Sequence, residues 1–268
     1  MIFDAHTYCP GGTGKKIKHC ACRDIAGELE KIIKALDGEQ RIAALDRINR
    51  TLATKANRPC LLSLKIVTLL DMKDLQSLED TVTTFVKVAP DNPLAHTFSA
   101  LLELRKQRVR AAVDEVQTAL SLVKDVLPGE LYEALADVAE ALAASGEYVA
   151  ARAHLMLRAS FGGDDKEAAR PLVLLSNVEH IPLALKCHLT FQVCPARAPW
   201  KGRYDAALRD LLTGGWKKGL EKFEKLNQDF PHQRAILWNI ALTRSFLGSP
   251  RQSAAWHAYA LCPGVEFP

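Results

Sequence analysis

Turn signals recur in this sequence at intervals close to 34 residues, each between two amphipathic segments. They lie in the stretches ALDGEQ, LDMKDL, LRKQRV, AASGEY, LTGGWK and FLGSPR, which align at Gly38, Lys73, Gln107, Gly146, Gly214 and Gly248. The successive separations are 35, 34, 39, 68 and 34 residues. Because 68 is twice 34, a degenerate unit is expected between residues 160 and 200, with its turn near His180. A fixed period of this length predicts repeated helical hairpins; an irregular bundle of hairpins is the alternative.

Apolar side chains follow three of these turns at helical steps of three and four. The units read Leu75, Leu78, Val82, Phe85, Val86, Pro90; Tyr148, Ala151, Leu155, Arg158, Ala159; and Trp216, Gly219, Phe223, Leu226, Pro231. Such steps keep one helix face buried against a neighbour, and a proline ends the helix. The period and the pattern together resemble the tetratricopeptide repeat over most of residues 24–263.

This resemblance implies an all-α fold in which two-helix units stack into a right-handed helical solenoid. The concave surface of such a solenoid, lined by the first helix of each unit, binds extended or helical segments of other proteins. The side chains expected on that surface are Lys65, Thr68, His96, Ser99, Glu103, Asn239, Thr243 and Arg244.

The N-terminal stretch HTYCPGGTGKKIKHCAC, residues 6–22, contains Cys9, Cys20 and Cys22 around a glycine-lysine loop. Glycines allow a tight turn that can bring thiolates together around one tetrahedral zinc ion per chain. His6, three residues before Cys9, is the expected fourth ligand, and His19 is the alternative. The basic side chains Lys15, Lys16 and Lys18 offset the negative charge of the thiolates.

A phosphate-binding loop is the other interpretation of GGTGKK, and its spacing excludes it. The position that requires the first glycine of that motif is Cys9, and the position that requires a serine or threonine is Lys16. No strand-like apolar segment precedes the loop.

The stretch CPGGTGKKIKHCAC resembles the SEC-C motif, a short zinc-binding module known from the C-terminal end of the SecA translocase motor. Matching positions are Cys9, Gly12, Gly14, Lys15, Lys16, Ile17, Lys18 and Cys20, with Thr13 in place of serine. Two ligand positions of the motif differ here: Gly11 replaces its second cysteine, and Ala21 follows Cys20, with a thiol one place later at Cys22. Either His6 and Cys22 substitute as ligands or the motif no longer holds zinc; zinc is the favoured interpretation.

Composition restricts the class of protein. The formal charge of +4 over 268 residues demands neither a nucleic-acid nor a membrane partner, and no apolar run is long enough for a signal peptide or a membrane span. The seven scattered cysteines favour reduced thiols in a cytoplasmic protein. Cys187, His188 and Cys194 are interpreted as core residues. The carboxylate pairs Asp164 with Asp165 and Glu130 with Glu133 are interpreted as ordinary loop and helix residues.

Four segments are expected: a zinc knuckle at 1–23, repeats at 24–160, a degenerate repeat or irregular connection at 161–200, and further repeats at 201–268. No catalytic constellation is evident, so the chain is predicted to be a non-enzymatic adaptor for other proteins. The SEC-C resemblance implies chaperone-, secretion- or ribosome-associated partners. The alternative is an RNA- or ribosome-associated protein that uses the basic knuckle Lys15, Lys16 and Lys18.

Overall fold

The computed structural model describes residues 6–124, 126–162, 166–179, 181, 186 and 189–262. Within these residues the chain forms thirteen α-helices and no β-strand, apart from an isolated antiparallel bridge between Tyr8 and Lys16. The helices are α1 Ala26–Asp37, α2 Arg41–Thr54, α3 Pro59–Met72, α4 Leu75–Val88, α5 Pro93–Arg105, α6 Val109–Leu122, α7 Gly129–Ala144, α8 Tyr148–Phe161, α9 Lys166–Ser176, α10 Lys201–Leu212, α11 Trp216–Asp229, α12 Arg234–Phe246 and α13 Gln252–Ala260. The predicted all-α class is confirmed for this part of the chain.

Consecutive helices pack as hairpins, and the hairpins pack on one another. The pairs are α1 with α2, α3 with α4, α5 with α6, α7 with α8, α10 with α11 and α12 with α13. The first helices α3, α5 and α7 also contact each other in succession, and the second helices α2, α4, α6 and α11 each contact the first helix of the next hairpin. This arrangement is consistent with a helical-repeat solenoid.

The same main-chain turn closes six of the hairpins. The residue at the turn has a left-handed φ between 57° and 87° in every case: Glu39, Lys73, Gln107, Gly146, Gly214 and Gly248. The next residue donates its N–H to a carbonyl five positions back, as Asp74 does to Leu69 and Glu147 does to Leu142. This is the Schellman closure of a helix, which satisfies carbonyls left unpaired at the helix end.

The first turn corrects the sequence alignment by one residue. The left-handed residue is Glu39, whereas Gly38 has a φ of −88°, so the first interval is 34 residues, like the second. The longer interval from Gln107 to Gly146 also has a structural cause. Helix α7 has 16 residues where α5 has 13, and six residues rather than four connect it to the preceding helix.

Two of the last four helices also pack against the second helices of earlier hairpins. Helix α12 contacts α8, and α11 contacts α6. The backbone N–H of Lys217 donates to the Gln117 side chain at 3.1 Å, and the ring of Trp216 meets the His154 ring edge-on with centroids 4.9 Å apart. The second helices of the earlier hairpins therefore support the C-terminal hairpins.

Residues 189–200 form an extended connection that is fixed to α12. The Asn239 side chain accepts from the N–H of Gln192 at 2.8 Å and donates to its carbonyl at 3.0 Å, and the Trp238 indole donates to the carbonyl of Thr190. Cys194 lies in the core, as predicted, and Pro171 lies inside α9. The predicted turn at His180, Cys187 with His188, and Asp164 with Asp165 lie outside the described residues. No helix among the described residues is long and apolar enough to cross a bilayer.

Replacing Gly146 by alanine tests the left-handed closure. An added Cβ at Gly146 would have no atom within 4 Å, so the expected loss of about 1 kcal/mol in the free energy of unfolding would come from backbone conformation alone. Gln107→Gly, at an equivalent turn with a φ of 58°, should stabilise the protein by a few tenths of a kcal/mol to about 1 kcal/mol. Urea unfolding of both variants measures the difference, and shifts of the same sign would contradict the shared geometry.

Candidate metal centre

The N-terminal segment folds into a short hairpin that turns Cys9 inward. The Cys9 N–H donates to the Lys15 carbonyl at 2.8 Å, and the Ile17 N–H donates to the Thr7 carbonyl at 2.9 Å. The loop between them includes Gly12 and Gly14, both with left-handed φ. Cys9 and Ile17 are consequently buried on one side of the hairpin.

This hairpin shares its core with the first helices. Ile17, Cys22 and Ile25 pack in one apolar cluster with Leu29, Ile32, Ile48 and Leu61. Polar contacts add to the attachment, because Arg58 donates to the carbonyl of Ala21 at 2.7 Å and to the Asp24 carboxylate at 2.9 Å. Residues 6–25 thus pack on the first helices through a shared apolar core and these polar contacts.

Three sulfur atoms converge where the N-terminal segment meets α3. The donor atoms of Cys9, Cys22 and Cys60 all lie within 4.8 Å of one another, and all three residues are buried. The Cys9 and Cys22 sulfurs are 3.7 Å apart, and Cys22 and Cys60 are joined as a disulfide. The sequence predicts reduced thiols throughout, whereas packing of α3 brings these two cysteines together from 38 residues apart, with a Cα–Cα distance of 6.7 Å.

Cys20 is the fourth thiol of this region. Its sulfur lies 3.6 Å from the Thr13 hydroxyl and has a side-chain hydrogen bond with Cys9. Burial opposes ionisation of Cys20, but backbone N–H groups of Cys22 and Ala21, together with the side chains of Thr13 and Cys9, lower its pKa below the ordinary thiol value. The local backbone is therefore arranged to stabilise a thiolate at Cys20.

Cys9 lies in a different electrostatic environment. Burial raises the pKa of its thiol to about 11, although the N–H of Gly11 acts in the opposite direction, and the Cys20 thiol raises the pKa further. A buried thiolate at Cys9 would therefore need a cation beside it.

The predicted ligands are only partly brought together. Cys9 and Cys22 belong to the converging group and Cys20 adjoins Cys9. His6 is exposed and is not in the group, and His19 is also exposed. The sulfur that the sequence analysis missed is Cys60, the second residue of α3.

A close contact at Gly11 places the N-terminal segment against the start of α3, where Cys60 lies. A Cβ added to Gly11 would lie 2.5 Å from the Cys60 nitrogen and 2.6 Å from the Pro59 carbonyl carbon. The Asn92 side chain also donates to the Gly11 carbonyl at 2.7 Å. The backbone of α3 therefore occupies the space where a side chain at position 11 would begin, and α3 brings its own thiol to the site. Position 11 is a glycine where the SEC-C pattern has a cysteine, and this difference is a sequence signal for a thiol supplied from elsewhere in the chain.

The basic knuckle faces outward from this site. Lys15 is exposed, and Lys16 and Lys18 are partly exposed.

The residues predicted for partner binding do not form one surface. Lys65 borders a depression between α2, α3 and α4; His96 pairs with Glu115 at 2.7 Å; and Glu103 accepts from Arg108. Ser99 is partly buried, and Arg244 pairs with Glu224 at 2.8 Å. Thr68, Asn239 and Thr243 are buried, with 1%, 0% and 0% of their surface exposed. The last three therefore serve packing and are not available to a partner.

A different set of side chains lines an open groove across the first helices. The groove has a volume of about 680 Å³ and is lined by Val67, Leu70, Phe98, Leu101, Leu127, Gly129, Glu130, Tyr132, Glu133, Ala134, Asp137 and Phe161. Its residues on α3 and α5 are displaced from the predicted ones by two positions, for example Val67 against Lys65 and Leu101 against Ser99. Two positions correspond to about 200° around a helix, so the groove lies on the other side of α3 and α5.

Comparison with protein-family models, with curated proteins and with solved structures gave no match for this chain.

Replacing Gly11 by alanine should detach the N-terminal segment from α3. The added methyl group would collide with backbone atoms of Pro59 and Cys60, which cannot rotate away as a side chain can. We expect faster limited proteolysis between residues 6 and 25 and greater labelling of Cys9 and Cys20 by a thiol reagent. Gly27→Ala is the matched control, because a Cβ there has no atom within 4 Å. Unchanged cleavage and labelling in Gly11→Ala would show that the close contact is not required.

Proposed function

We propose that this protein is a non-enzymatic adaptor whose N-terminal segment is fixed to a helical-repeat scaffold by one zinc ion. In its reduced form the ligands are Cys9, Cys20, Cys22 and Cys60. The convergence of the thiols of Cys9, Cys22 and Cys60 from two distant segments is the observation that carries this proposal.

The donor set suits zinc. Four thiolates are a common tetrahedral ligand set for structural zinc, and their softness favours zinc over magnesium or calcium. The ion would supply the positive charge that a buried Cys9 thiolate needs. A disulfide and a shared metal both require the sulfurs of Cys22 and Cys60 to converge, so the geometry that joins them in this structure also suits the metal-bound form.

A site of four protein sulfurs has no open coordination position for water or substrate, so its role is structural. Zinc binding would stabilise the connection between residues 6–25 and α3, in addition to the apolar contacts of Ile17 and Ile25. The metal is therefore assigned to the scaffold and not to a reaction.

The adaptor function is supported by the open groove across α3, α5 and α7. Val67 and Phe161 expose 37% and 41% of their surface there, beside partly buried Leu70 and Leu101. Apolar side chains that converge along an open groove are typical of a surface that binds a segment of another protein.

Protein purified under reducing conditions should contain about one zinc per chain, measured by plasma mass spectrometry. Cys60→Ser should remove most of the zinc, whereas Cys194→Ser, a buried cysteine elsewhere in the fold, should retain it. Circular dichroism verifies that the helices of each variant remain folded. Zinc near zero in the reduced wild-type protein would contradict the metal centre, and full occupancy in Cys60→Ser would contradict the ligand set. His6→Ala should retain zinc.

A lysine in the groove should block partner binding. Val67→Lys places a charge on its apolar wall, so partners that the wild-type protein captures through the groove from lysate should be lost in quantitative mass spectrometry. Ile42→Lys is the matched control, because Ile42 on α2 is 77% exposed and outside the groove. Partners that depend instead on Lys15, Lys16 and Lys18 and that disappear after ribonuclease treatment would favour the RNA-associated alternative.

A further inference from the structure

The groove has one apolar wall and one acidic wall. Helices α3 and α5 contribute Val67, Leu70, Phe98 and Leu101, each pair separated by three positions on one helix face. Helix α7 contributes Glu130, Glu133 and Asp137. No lysine or arginine is among the residues that the structure describes along the groove.

Nearby cations neutralise only part of this acidic wall. Arg158 donates to Glu133 at 3.1 Å and lies over the Tyr132 ring, with its guanidinium carbon 4.2 Å from the ring centroid. It therefore pairs with one of the three carboxylates.

The Asp137 carboxyl lies near two further carboxylates of α7, Glu133 and Glu140. Desolvation by the surrounding protein raises the pKa of the Asp137 carboxyl, and the negative charges of Glu140 and Glu133 raise it further. The positive charges of Arg105 and Arg158 act in the opposite direction. The carboxylates on this stretch of α7, which are Glu130, Glu133, Asp137 and Glu140, outnumber Arg105 and Arg158, so a further cation would be attracted to this wall.

We propose that the groove binds an amphipathic, basic helical segment of a partner protein, with lysine or arginine side chains next to apolar anchors. This inference rests on the proposed adaptor function and specifies the chemistry of its partner. The apolar anchors pack against Val67, Leu70 and Leu101, and the basic side chains pair with Glu130 and Asp137.

The dimensions of the groove agree with such a segment. Glu130 and Asp137 are seven positions apart on α7, which is about 10.5 Å along the helix axis. Basic residues seven positions apart on a parallel or antiparallel bound helix have the same spacing. The volume of 680 Å³ accommodates several side chains of one helix face but not a folded domain.

The same charges disfavour a nucleic-acid occupant, because the carboxylates of α7 would repel phosphate. An acidic peptide is disfavoured for the same reason. Charge therefore selects a basic partner from among those that the apolar wall alone would accept.

The test uses the intact reduced protein and two fluorescein-labelled helical peptides of about 18 residues with the same leucine pattern. One peptide has lysines on the polar face and the other has glutamates at the same positions. Fluorescence anisotropy gives the dissociation constants. We expect the lysine peptide to bind at least about tenfold more tightly than the glutamate peptide, and the difference to shrink as salt increases.

The double variant Glu130→Gln, Asp137→Asn should remove most of this preference while leaving the helices intact. Glu30→Gln, Glu221→Gln is the control, because both residues are exposed outside the groove and the change in net charge is the same. Val67→Lys should weaken the lysine peptide more than the glutamate peptide.

Equal affinity for the two peptides, no measurable binding of the lysine peptide, or full preference in the groove double variant would overturn the inference. The adaptor function is tested separately by partner capture. Captured partners that Val67→Lys removes, without any preference for the lysine peptide, would leave the adaptor function standing and reject only the basic chemistry of the partner. Displacement of the peptide by a second copy of the chain, detected as concentration-dependent dimerisation, would likewise reject a partner protein as the occupant.

Discussion

The left-handed residue that closes each hairpin is the constraint from which the arrangement of the helices follows. At Lys73, Gln107 and Gly146 it reverses the chain, and the N–H of the following residue donates to a helix-end carbonyl five positions back. The reversal places the second helix against the first, and the equivalent helices α3, α5 and α7 then lie side by side. The groove exists because three successive first helices adjoin, so its position depends on a turn that contains none of its residues.

The cluster of sulfur atoms depends on the close approach of Gly11 to the start of α3. The glycine at position 11 allows the backbone of α3 to approach closely, and Cys60 of α3 lies beside Cys22. A knuckle made only of neighbouring residues could separate from the helices, whereas a site that includes Cys60 joins residues 6–25 to the repeat array.

The residues expected on the concave surface lie away from the open groove. Helical spacing along the first helix of each unit predicts exposed positions such as Lys65, His96 and Asn239. In the structure His96 is paired with Glu115 and Asn239 is buried against Gln192 and Tyr204. The open face is instead lined by apolar residues and by carboxylates of α7. An apolar residue on such a face has the same local pattern as a core residue.

The sequence by itself determined the helical class, the hairpins and their period near 34 residues, because apolar spacing and turn residues act within a few positions of the chain. It also located the sulfur-rich segment and three of its four thiols, Cys9, Cys20 and Cys22. Only the tertiary structure decided that Cys60 is the remaining sulfur, that the open groove lies about 200° from the expected face, and that α11 and α12 pack on α6 and α8. These features depend on contacts between residues far apart in the chain. The local pattern of apolar residues shows which face of a helix is buried but not which distant helix packs against it.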